Sequence, residues 1–286
     1  MVLSGPDAQR MSQPPALERL LGRDGAITLA GVLLLCALAW GYLVTGAGMG
    51  MGARQMTTLA LFPHRAGAAM AGMAMAPPDW TPTTWVLVVG MWWAMMLAMM
   101  APSAAPAILL HARVHRHALA QGRLPGRLAG SGLFVAGYLL TWLAFSVAAA
   151  ALQFVLERAG IVQAMAMGAR VAWLSATVLI VAGLYQFSPL KRACLSHCRA
   201  PAPFLSHHWR SDRWNPLHLG LRHGAYCVGC YWVLMALLFV GGVMNLVWIA
   251  ALSLLVLAEK VLPIGRGVGI ATGVVLLAWG IATLFV

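Results

Sequence analysis

The chain has 286 residues, 61% hydrophobic and only 9% charged, with 19 Lys and Arg against 7 Asp and Glu for a formal net charge of +12. A soluble domain carries roughly 25% charged residues, so this chain cannot cover a water-facing surface of ordinary size. Its hydrophobicity excludes disorder, and its length excludes a disulfide-stapled miniprotein. What remains is an all-α, polytopic membrane helical bundle. The basic residues lie between apolar runs, where membrane topology explains them without nucleic acid.

Residues 1–25 read as a polar cytosolic tail holding Pro6, Pro14, Pro15, Arg10, Arg19 and Arg23. No small-residue cleavage site follows at a convincing place, so the next run reads as a retained span. The rest, 26–286, reads as a single transmembrane domain. A bilayer core of about 30 Å needs about 20 helical residues. Spans are expected over about 26–45, 85–110, 131–156, 171–188, 225–241, 244–258 and 267–286. The run 224–258 is too long for one span and short for two. Gly241, Gly242 and Asn245 near its middle mark a tight hairpin, giving seven spans; a single tilted helix would give six. With the N-terminus inside, fifteen Lys and Arg fall on the inner side. Only Arg54, Arg65, Arg158 and Arg170 fall outside. That asymmetry is the positive-inside pattern, and it favours the hairpin.

Cys36 stands alone in the first span and reads as a small packing residue. The first outside loop, 46–82, carries Met70, Met73 and Met75 at the close spacing of a flexible Cu(I)-capture segment; an inert Ala/Gly/Met linker is the alternative. The second span reads WVLVVGMWWAMMLAMMAPSAAP. Met91, Met95 and Met99 form one helical stripe and Met96 and Met100 its neighbour. Thioethers are soft ligands suited to Cu(I), although a methionine stripe also serves plain core packing. Pro102 and Pro106 follow, depriving the carbonyls of Ala98 and Pro102 of their usual donors. Next, HARVHRH places His111, His115 and His117 among arginines, which reads as a solvated basic stretch at the headgroups.

The strongest constellation follows the fourth span. Cys194 and Cys198 lie one turn apart, and Cys227 and Cys230 form a second close pair after Arg222. His197, His207, His208 and His223 offer nitrogen alternatives. A cytosolic placement keeps these thiols reduced. Soft thiolates select Zn(II), Cu(I) or iron–sulfur clusters. Glu157, Glu259 and Lys260 read as span-end charges, and Gln153, Gln186 and Asn245 as interhelical hydrogen-bonding groups. No internal repeat, phosphate loop, Ser-His-Asp order or zinc-protease motif is present, and the short loops leave no room for a nucleotide domain. The chain therefore leans away from an enzyme and from an ATP-driven pump.

The stretches AMMLAMMAPSAAP, PLKRACLSHCRAP with HHWR, and HGAYCVGCYW…LLFVGGVMNLVWIAALSLLVLAEK resemble the predicted metal-binding integral membrane proteins, a family of bacterial inner-membrane proteins. The resemblance covers roughly 85–286. It implies metal binding at Cys194, Cys198, Cys227 and Cys230, with His223 nearby. The family often carries a third cysteine directly after the CxxC, where this chain has Tyr231, which implies a site poorer in sulfur.

The expected function is binding or movement of a soft transition metal, Cu(I) ahead of Zn(II), in a bacterial inner membrane. The candidate metal residues are Cys194, Cys198, Cys227, Cys230, His197, His223, Met95, Met96, Met99 and Met100. The expected partners are the lipid bilayer, the metal ion and a membrane or periplasmic protein. Two rivals remain: a thiol–disulfide oxidoreductase or redox sensor using Cys227 and Cys230, and a non-catalytic subunit of a membrane complex.

Overall fold

The computed structural model describes residues 16–48, 57, 59, 79–122, 130–162, 168–169, 171–208 and 212–285. Met70, Met73 and Met75 lie outside the described residues. Those residues form ten helices in chain order: α1 Ala16–Val44, α2 Pro82–Ala120, α3 Gly130–Arg158, α4 Ala172–Gln186, α5 Pro189–Arg199, α6 Pro201–His208, α7 Asn215–Ala236, α8 Leu238–Gly241, α9 Leu246–Val261 and α10 Gly265–Leu284. Among them there is no strand, only one isolated bridge between Val162 and Ala169.

Local chemistry places the helix starts. Thr81 Oγ1 accepts from Thr84 N at 3.2 Å, and Pro82 occupies the first turn of α2, a standard cap-plus-proline opening. Ser188 and Pro189 repeat the device at α5, with Lys191 N donating to Ser188 Oγ at 3.0 Å. Gly242 turns the chain at φ +93°, a conformation that a side chain disfavours. Asn245 then caps α9 by accepting from Val247 N at 3.1 Å. The break at 242–245 thus falls at the glycines and asparagine marked in the sequence.

Five helices, α1, α2, α3, α7 with α8, and α10, are long and apolar enough to cross a membrane; α4 with α5 makes six if that pair, bent by 63°, counts as one span. Two of the seven expected spans fall below a full crossing length. The 171–188 run is helical as α4 for only 15 residues, about 22 Å at 1.5 Å per residue, because the Ser188 cap and Pro189 restart the helix in a new direction. The 244–258 run becomes α9, of 16 residues, also below a full crossing length. The helix expected from 225 begins at Asn215, ten residues earlier. Outward-facing apolar side chains, such as Leu33 and Leu38 on α1 at 58% and 62% exposure, are compatible with a lipid surround.

The central packing is α2 against α1, α3 and α9, with α7 against α3. The α3–α7 crossing is made by glycine. A Cβ on Gly220 would fall within the Phe134 carbonyl, and one on Gly137 within the Leu217 carbonyl. Small residues let two backbones approach where apolar burial alone gives little drive. Cys36, a packing residue by sequence, also donates from Sγ to Ala98 O at 3.7 Å. That is the carbonyl which Pro102 leaves without its usual partner.

Candidate metal centre

The site lies where α5, α7, α9 and the middle of α2 meet. Cys198 Sγ is 3.7 Å from Cys227 Sγ and 3.7 Å from Cys230 Sγ. Cys227 and Cys230 are fully buried and Cys198 is 8% exposed. All the cysteines are free thiols. Cys194, one turn before Cys198, is half-buried and packs on Gly229, where an added Cβ would stand 2.9 Å from its sulfur. The glycine between the paired cysteines therefore makes room for the fourth thiol at the edge of the cluster. The sulfurs are neighbours without forming a closed cage: among the described residues no group of three His, Cys, Asp or Glu is arranged to hold an ion.

Two buried lysines surround the cluster. Lys260 Nζ donates to Cys227 Sγ at 3.1 Å and to Ser103 Oγ at 3.0 Å. Lys191 Nζ pairs with Glu259 Oε2 at 2.7 Å and also donates to Gln186. Gln186 Nε2 donates to Glu259 Oε1 at 3.2 Å. Both ammonium groups lie over the Tyr231 ring, at 5.2 and 5.3 Å from its centre, within cation–π range. Glu259 and Lys260 lie in the last turn of α9, where the sequence puts them, but both are buried and paired inside the bundle. The last turn of α9 packs beside Cys227. Tyr231, directly after Cys230, is the aromatic face that both cations share.

Lys191 and Arg199 hold α5 at its two ends. Arg199 donates to the carbonyl of Leu262 at 2.8 Å, while Lys191 binds Glu259. Cys198 sits between these anchors and is carried onto α7 as a result.

The other candidate residues take graded positions. His223, one turn before Cys227 on α7, is 2% exposed and adjoins the Cys227 sulfur. Among the described residues its Nδ1 has no hydrogen-bond partner. His197 is exposed, and its ring stacks on Tyr226 at 4.5 Å. Met95, Met96, Met99 and Met100 are all fully buried in α2. The Met100 carbonyl accepts from Ser103 Oγ at 2.9 Å and from Tyr138 Oη at 3.2 Å, which ties the end of the methionine run to the turn bearing Lys260's partner. His111 departs from the sequence reading. It is fully buried and stacks on Phe134 at 4.6 Å, because α2 continues ten residues past the expected span end and packs on α3.

Along α2 the groups follow an order. Near its start, Trp80 donates to Glu157 Oε2 at 3.0 Å. Gln153 donates to Glu157 Oε1 at 2.8 Å and accepts from Trp92 at 2.7 Å. The methionines come next, then Ser103 beside the thiols, then His111 and His115. Ser103 and Tyr138 have no mark in the sequence, and Lys260 reads there only as a span-end charge. The available signal was Lys260 itself, a charge directly following an apolar run.

The fold and this chemistry define an apolar helical protein with a buried cluster of thiols around an ammonium group. A model of the PpoB2 family, described as a copper chaperone, matches residues 89–283, and the chain belongs to that family. No curated protein and no solved structure matches it. Membership links the chain to copper, and the matched region contains Cys194, Cys198, Cys227 and Cys230.

Proposed function

We propose that this protein binds or moves a soft transition metal, Cu(I), across or at a bacterial inner membrane, with the cysteines on the cytosolic face. The full reading has seven spans with the N-terminus inside. Cys198, Cys227 and Cys230 hold the ion, with Cys194, His197 and His223 as neighbouring ligands. Met95, Met96, Met99 and Met100 relay it through α2, and Met70, Met73 and Met75 capture it outside. A membrane or periplasmic protein delivers or receives the cargo.

The observation that carries this reading is the double contact of Cys198 Sγ, 3.7 Å from each of Cys227 Sγ and Cys230 Sγ. Metal–sulfur bonds of about 2.3 Å put two tetrahedral ligand sulfurs about 3.8 Å apart, so the spacing fits thiolates sharing one ion. Thiolate and thioether ligands favour Cu(I), with Zn(II) the next candidate. Lys260 supplies positive charge where a thiolate set in apolar surroundings needs it. Copper chaperone membership points to the same metal.

Elemental analysis of the native protein and of Cys227→Ser tests it. One copper per chain in the first and none in the second is expected. Metal-free native protein from copper-fed cells would count against it. The 3.7 Å contact also suits a thiol–disulfide oxidoreductase, which would show reversible two-electron oxidation in the absence of metal.

A further inference from the structure

Beside the thiol cluster, α5 and α6 form an open cavity of about 380 Å³ lined by His197, Phe204, His207 and His208 among others. Of these imidazoles only His197 also neighbours the cysteine site; His207 and His208 have no part in it. Two of them are held alike. His197 Nδ1 lies 2.8 Å from Ala193 O, and His208 Nδ1 lies 2.9 Å from Phe204 O. A carbonyl can only accept, so each Nδ1 carries the proton. In the neutral ring this leaves the lone pair on Nε2. A ring nitrogen bonded to a carbonyl while the other stays open is the usual posture of a metal-ligating histidine.

The cavity is coupled to the sulfurs through its aromatic wall. His197 directly precedes Cys198, and its ring lies parallel to Tyr226 at 6°, the residue before Cys227. Phe204 sits 5.1 Å from His208 and 5.8 Å from His223, and His223 adjoins Cys227. Arg199, the nearest basic residue on α5, points elsewhere, donating to Leu262 and Pro263 carbonyls.

We infer that this cavity is a second, imidazole-based copper site, where Nε2 of His197 and of His208 take the ion beside the cysteine cluster. Imidazole is a borderline ligand that binds copper less tightly than a thiolate set binds Cu(I). Two nitrogens with the remaining positions open to water or to a carrier's ligand make a site that exchanges its ion readily. That is the property of a loading or unloading point. The exchange role rests on the cysteine site proposed above; binding at the imidazoles does not.

The test uses the full-length, tag-free chain in detergent with two probes. In a Cys194→Ser, Cys198→Ser, Cys227→Ser, Cys230→Ser variant, where the site thiols cannot reduce it, Cu(II) is titrated and followed by paramagnetic resonance. Nitrogen couplings from two imidazoles are expected. Adding His197→Ala and His208→Ala should weaken binding on the order of tenfold or more, while His117→Ala and His218→Ala leave it intact. In the wild-type chain, Cu(I) should protect His197 and His208, but not His117 or His218, from diethyl pyrocarbonate, as read by mass spectrometry. Unprotected His197 and His208, or Cu(II) binding indifferent to their loss, would overturn the inference. Absence of copper from the cysteines alone would sink only the reading of the thiol cluster.

Discussion

Lys260 and Cys227 meet at 3.1 Å in a fully enclosed setting, although the carboxylate next to Lys260 in sequence, Glu259, is already paired with Lys191. The Lys260 ammonium is therefore left to Ser103, the Tyr231 face and the thiol. A cation in this position answers negative charge on sulfur. It is the polar partner that orients the cluster, in the way that outer groups tune a metal site.

Replacing Lys260 with Met removes that charge and leaves Ser103 Oγ and Cys227 Sγ without their donor. Copper retention against a soluble chelator should fall by about tenfold or more. Lys260→Arg, which keeps the charge with a bulkier head, should recover part of it. Equal retention in all three proteins would show that the contact has no bearing on the metal.

Glu259 should matter mainly for stability. It and Lys191 are essentially inaccessible to solvent. Breaking a buried pair by removing one member costs about 3–5 kcal/mol, whereas replacing both by apolar groups is often neutral. Glu259→Ala is thus expected to lower the melting temperature strongly and to loosen α5, whereas Lys191→Met with Glu259→Met restores most of the loss. Thermal unfolding in detergent reads both.

The contrast between these lysines explains what could be read from the residues and what could not. The turn at Gly242 and Asn245 was visible because backbone freedom and capping are local properties. The convergence of the cysteine pairs was visible as chemistry, through their number and spacing. Lys260 falls at the helix end that the sequence marks, but its burial against Cys227 had no local signal, because it depends on how α9 packs on α2 and α7. The bend after α4 had a readable signal in Ser188-Pro189, a cap and first-turn proline inside what looked like a continuous span and its loop. His111 had no such signal, since its burial depends on where α3 crosses α2.

Cys198 is the sulfur common to both contacts, so oxidation should pass through it. Mild diamide treatment of metal-free protein should close Cys198 onto Cys227 or Cys230, bringing sulfurs now 3.7 Å apart to about 2.05 Å. Peptide mapping should find no disulfide in Cys198→Ser, and bound copper should block the reaction in the wild type. A Cys227–Cys230 bridge forming readily without Cys198 would favour a redox role for the CxxC pair over a metal one.

The methionines of α2 allow packing to be separated from ligation. Met95, Met96, Met99 and Met100 are wholly buried, so either role would keep them apolar. Met→Leu is close to volume-conserving, and such swaps cost less than about 1.5 kcal/mol, but leucine has no lone pair for copper. If the thioethers only fill the core, the fourfold Leu variant should fold and load copper into the cysteines as fast as the wild type. If they relay the ion, the folded variant should still bind the full complement of Cu(I) when it is supplied from the α5–α6 side, yet load more slowly when it is supplied from the opposite side of a sealed vesicle. The expected result is slowed one-sided loading with an unchanged cysteine stoichiometry; equal rates from both sides would confine these methionines to packing.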